Sequence, residues 1–135
     1  MSYIFDASSI FRAVIENKID RLVGGYTDIL AKYELGNIIW KKYFLKNEIS
    51  RDEYQAISKI IYKVLGLLKL LSPEGHENEV LDTAVKLGIT YYDSVYVYHS
   101  KKLKLPLVTE DHKPVSYTHL RAHETEADLV CRLLL

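Results

Sequence analysis

The chain predicts a single α/β domain, and three observations carry that reading. Two short apolar runs, "SYIFD" at residues 2–6 and "LPLVT" at residues 105–109, are aromatic or β-branched in character and read as buried strands. Between them, apolar residues recur at helical spacing through successive segments. Asp6 and Asp111 follow the two strands, and open α/β sheets bind ligands just outside the carboxyl ends of their strands.

The first helix is expected in "ASSIFRAVIENK", where Ile10, Phe11 and Val14 share a face, so Asp6 stands at a strand-to-helix junction. Gly24 and Gly25 then punctuate the chain. A helix follows from about Asp28 to Lys46, with Ala31, Leu35, Ile38, Ile39 and Leu45 as its apolar face. Glu34 and Asn37, three residues apart, lie on one side of it. Ser50 and Glu53 match the S-x-x-E pattern of a capping box and announce a second long helix. That helix runs through "EYQAISKIIYKVLGLLKLL" and stops before Pro73, giving a helical hairpin. Val80, Leu81, Ala84 and Leu87 place the next helix over residues 77–87, closed by Gly88 as a C-terminal cap. A last helix begins near Thr90 in "ITYYDSVYVYHSKKL". The expected order is β–α–α–α–α–α–β, with room for short strands at Arg21–Val23 and in the tail.

Composition narrows the function classes. Among the 135 residues 48% are hydrophobic, enough for one core. The 18 basic and 18 acidic residues cancel, which argues against wholesale coating by nucleic acid and leaves room for a local basic rim. Eleven tyrosines against one tryptophan suit a core edge where a ring packs and a hydroxyl stays wet. The single cysteine, Cys131, rules out an intramolecular disulfide framework. The longest apolar stretch, "VLGLLKLLS", is broken by Lys69 and too short to span a bilayer. No signal-peptide pattern is seen, so a soluble cytoplasmic protein is expected, with no membrane partner.

Asp6, Glu34, Asp93 and Asp111 carry the chemistry. Asp6 suits an N-cap as well as a ligand, and Ser8 offers a hydroxyl to a metal-bound water or phosphate when it is not itself capping. Glu34 has Leu30 and Ile38 at the positions where a lysine partner would stand, so it needs another reason to exist on that face. Thr90 and Asp93 form T-x-x-D, close to a capping box, and a first-turn acid lies near the end of a helix that favours phosphate. Asp111 follows "PLVTE", where turn chemistry explains an aspartate about as well as catalysis does. Glu110 is less suited, because neighbours along a loop point apart. Clustered carboxylates resist ionising together, and Mg²⁺ or Mn²⁺ resolves the conflict in an oxygen-rich site. The set therefore points to a metal-dependent phosphodiesterase, with one or two cations, about 3.5–4 Å apart if two, activating water. None of His76, His99 or His112 falls in a recognisable spacing for a general base. Lys101, Lys102 and Lys104 either meet phosphates or form a solvated helix end.

The blocks "YIFDASS", "YELGN", "TYYDSVYVYHS" and "LVTED" together resemble the four signature blocks of PIN-domain ribonucleases, in particular VapC-type toxins of toxin–antitoxin pairs. The match covers about residues 2–112, in the right order and with a helical hairpin in the expected place. The resemblance implies a three-layer α/β/α fold around a short parallel sheet and Mg²⁺- or Mn²⁺-dependent cleavage of RNA. It implies Asp6, Glu34, Asp93 and Asp111 as catalytic and metal-binding acids, with Ser8 and Thr109 as supporting groups. It also implies a small antitoxin partner and a homodimer.

The nuclease domain is expected over residues 1–113. Residues 114–135 look like translated cloning-vector or sequencing-adaptor sequence, and do not continue the family's helix and last strand. His119 and His123 there lack a convincing third zinc ligand. The alternative function is a catalytically idle PIN-like module that binds RNA or protein; loss of an acid would favour it, and all four remain. A haloacid-type phosphatase wants D-x-D after its first strand, where Ser8 stands here. A phosphoacceptor receiver wants adjacent acids and a late lysine, and that pattern is missing too.

Overall fold

The computed structural model describes residues 2–110 and the backbone of residues 130–132. Five strands among the described residues are β1 (Ile4–Phe5), β2 (Tyr26–Asp28), β3 (Lys69–Leu71), β4 (Leu107–Thr109) and β5 (Val130–Arg132). They form one parallel sheet in the order β3-β2-β1-β4-β5. Five α-helices accompany them: α1 (Ala7–Ile15), α2 (Leu30–Trp40), α3 (Arg51–Leu65), α4 (Glu77–Leu87) and α5 (Tyr91–Leu103).

The two-residue period of a strand builds the layers. Ile4 and Leu107 point to one side, into a cluster with Leu87, Tyr96 and Val97 from α4 and α5. Their neighbours Phe5 and Val108 point to the other, into the larger cluster with Ile10, Leu35 and Val64 from α1, α2 and α3. A parallel sheet buried on both faces needs helices on both sides, and this one has them. The result is the three-layer α/β/α arrangement that the resemblance implies.

Several elements differ from the sequence reading. The helix expected from Asp28 starts at Leu30, because Tyr26–Asp28 pairs with both β1 and β3 as a strand. Its tail, Lys41–Leu45, widens into a π-helical turn, which leaves Leu45 exposed rather than on the core face. The long helix expected to reach Leu71 stops at Leu65, and Lys69–Leu71 turns back into the sheet as β3. Of the two places held open for a hidden strand, Arg21–Val23 overlaps a 3-10 turn over Ile19–Leu22, and the tail supplies β5. The expected termini elsewhere are present: Ser50 and Glu53 form a reciprocal capping box, and Gly88 closes α4 in the left-handed region with φ 69°.

The strand order locates the site. From β1 the chain steps outward through β2 to β3, then returns to place β4 on the opposite side of β1. The crevice between the carboxyl ends of β1 and β4 is thus the point where the winding reverses, which is where open α/β sheets take their ligands.

Candidate active site

Asp6 leaves β1 in an extended conformation and caps α1. Its Oδ1 accepts the Ser9 amide and the Ser8 hydroxyl, each at 2.9 Å. Thr109, from the end of β4, also hydrogen-bonds to the Asp6 side chain. Ser8 Oγ in turn accepts the Glu110 amide at 3.1 Å, so one serine ties the ends of β1 and β4 together. Asp6 therefore caps α1 while its side chain also bonds Ser8 and Thr109. Burial dominates all these bonds and pushes the Asp6 carboxyl up to about 6.

Glu34 projects from the second turn of α2 and is half-buried. The Tyr96 hydroxyl donates to its Oε1 at 2.6 Å. Burial raises its carboxyl above the usual range; the Tyr96 bond opposes this, and the charges of Asp6, Asp93 and Asp28 add to the rise. Asp93 sits in the first turn of α5, where its amide donates to the Thr90 hydroxyl at 3.1 Å. Acids from the end of β1 and from α5 are thus close enough for their charges to act on Glu34 of α2. Asp111 lies outside the described residues, as do His112, His119 and His123.

Sequence reasoning misses a further carboxylate. Asp28, at the carboxyl end of β2, is buried, and its two oxygens serve two elements. Oδ1 accepts the Leu30 amide at 2.7 Å, and Oδ2 lies 2.6 Å from Nε2 of the equally buried His99. His99 is 71 residues away in sequence, so no spacing rule links the two. The only signal is a histidine inside an otherwise apolar helix segment. Tyr96 reads from sequence as a packing residue; its ring does pack, and its hydroxyl holds Glu34.

Glu110 faces away from a ligand role on one oxygen, since Oε1 accepts Arg12 Nη1 at 2.8 Å. Asn37 is exposed on α2. Lys102 lies 3.9 Å from Glu79 and 5.8 Å from the Tyr98 ring centre, in keeping with a helix-end lysine held locally.

Among the described residues no group of three histidine, cysteine, aspartate or glutamate side chains is arranged to hold a metal ion. The chemistry of the donors nonetheless suits one. They are carboxylates only; burial disfavours the charges of Asp6 and Glu34, and neighbouring acids add to this at Glu34, the situation that a hard divalent cation relieves.

No protein-family model matches the chain. It is 30% identical over 122 residues to a protein named Exonuclease VapC9 from Pyrobaculum aerophilum, covering 87% of this chain and 86% of that relative. It is also similar to the crystal structure of PAE2754 from Pyrobaculum aerophilum, at 28% identity and a TM-score of 0.75, covering 98% of this chain and 92% of that one.

Proposed function

Because the chain belongs to the VapC family of PIN-domain nucleases, we propose that it is a divalent-metal-dependent ribonuclease cutting phosphodiester bonds within RNA chains. The observation that supports the reading is that Asp6 leaves β1 at the crevice where the sheet winding reverses, and that its charge and that of Asp93 both act on Glu34.

Asp6, Glu34 and Asp93, with Asp111, would hold Mg²⁺ or Mn²⁺. The bound cation supplies an activated water and neutralises charge developing on the phosphate. The remaining work falls to the chain itself. Ser8 and Thr109 orient Asp6, and the Ser8–Glu110 bond keeps the two strand ends at a fixed separation. An Asp6 carboxyl pushed up to about 6 by burial gives a site that favours a cation over a bare anion at neutral pH.

A small antitoxin is the proposed protein partner. The groove of about 550 Å³ between α2 and α3, lined by Leu35, Gly36, Ile39, Ile61 and Leu65 among others, suits the apolar face of a partner helix. A homodimer is proposed as well, with the exposed Trp40, Phe44 and Tyr62 as apolar surface available to it.

The test is cleavage of fluorescent single-stranded RNA, linear and circular, with Mg²⁺, Mn²⁺ or EDTA, beside Asp93→Asn. Asparagine keeps the backbone amide that bonds Thr90, so the variant should fold. The expected result is metal-dependent cutting of both substrates, lost in EDTA and reduced at least a hundredfold in the variant. Cutting of linear RNA alone would point to an exonuclease, the activity in the relative's name. Equal activity in the variant would reveal a contaminant, and no cutting by folded protein would favour an idle binding module.

A further inference from the structure

The proposed reaction accounts for the acids but leaves the phenol beside one of them unused. Tyr96 is 3% exposed and belongs to one core cluster with Leu87 and the strand residues Ile4 and Leu107. A phenylalanine would fill that place equally well by volume, and a buried hydroxyl is tolerated only with a partner. Its partner is Glu34 Oε1, at 2.6 Å.

The helix presenting that hydroxyl is itself pinned. His99 stands three residues after Tyr96, on the same side of α5, and is held by Asp28 at 2.6 Å. Asp28 also binds the Leu30 amide at the start of α2, the helix that carries Glu34. Two polar rungs, Asp28–His99 and Glu34–Tyr96, therefore run between the same two stretches of chain. With its lower rung fixed, the upper one cannot turn without breaking a buried bond. Glu34 Oε1 is held by the Tyr96 hydroxyl, so the carboxylate cannot rotate without breaking that bond.

We infer that Tyr96 is a positioning residue of the acidic site, holding the Glu34 carboxylate in one orientation for the metal it would bind. The inference rests on the metal-nuclease reading. Partners of ligating carboxylates commonly matter about 10–100-fold in metal affinity or activity.

The experiment is Mn²⁺ binding, followed by electron paramagnetic resonance, to wild type, Tyr96→Phe, Glu34→Gln and the double variant, with thermal melts and RNA cleavage alongside. Tyr96→Phe keeps the ring and is expected to melt cooperatively. Its Mn²⁺ affinity should fall about tenfold, and its cleavage deficit should close as Mn²⁺ is raised to saturation. In a Glu34→Gln background the same change should cost no further affinity. Unchanged affinity in Tyr96→Phe, or a full additional loss in the double variant, overturns the positioning role while leaving the nuclease intact. Wild type that binds no Mn²⁺ overturns the metal-nuclease reading and the inference with it.

Discussion

Asp6 shows how a residue can be costly to the fold and still be kept. Its carboxyl is raised from 3.8 to about 6, with burial as the largest cause, so the folded protein binds that proton more tightly than the unfolded chain. The stabilisation is fully present below about pH 4 and is lost as pH rises through about 6. A rise of that size corresponds to about 3 kcal/mol. Asp6→Asn retains an acceptor for the Ser9 amide without the charge. In EDTA at pH 7.5 the variant should melt several degrees above wild type while cutting no RNA, and its stability should lose most of its dependence between pH 4 and 6. Identical melting curves for the two proteins would refute this account. At this scale Asp6, Glu34 and Asp93 were legible because each sits beside a local signal, a strand end, an unpartnered helix position or a cap. The Asp28–His99 pair was not, because it is created by tertiary packing between residues that share no local pattern.

Elements were legible where their period had room to show. Helices α1, α4 and α5 each run for nine residues or more, long enough to reveal a face or a cap. β2 and β3 are no shorter than β1 and β4, but they lack the distinct apolar runs of those two and adjoin helical sequence that absorbs them. Three residues are enough in the protein because neighbouring strands already template them. The glycines sharpen the point. A Cβ at Gly25, just before β2, would lie 2.5 Å from the Phe5 ring and 3.1 Å from the Leu22 carbonyl oxygen, so the chain crosses there only without a side chain. A Cβ at Gly36 on α2 meets nothing within 4 Å. Denaturant unfolding should show Gly25→Ala losing about 1–3 kcal/mol. The same substitution at Gly36 should gain about 0.5–1 kcal/mol, as expected for alanine in a helix interior. Two losses of similar size would contradict the packing described around β1 and β2.

For the whole molecule, charge and topology matter more than any one contact. Eighteen basic and 18 acidic residues leave no net field to gather nucleic acid. RNA binding by the Asp93→Asn protein, measured by fluorescence anisotropy in EDTA, should therefore depend weakly on salt. The slope of log K against log salt is expected to be no steeper than about −2, corresponding to about three neutralised phosphates on a single strand. A much steeper slope would mean that an extensive basic track governs binding. Fold class was readable from two strands and the helices between them, and the layer order from the resemblance to PIN-domain ribonucleases. The reversal of winding at β1 was not, since strand order depends on which edges pair and no local pattern encodes that.

That reversal also sets a schedule for synthesis. β1 emerges first, yet one of its flanking strands, β4, begins about a hundred residues later, with Ile4 paired to Leu107. At about 5–20 residues per second, the gap amounts to roughly 5–20 seconds on the ribosome. Asp6 has left the exit tunnel long before the strand that completes its crevice can join it. The nascent chain is therefore unable to close that crevice until β4 has been made.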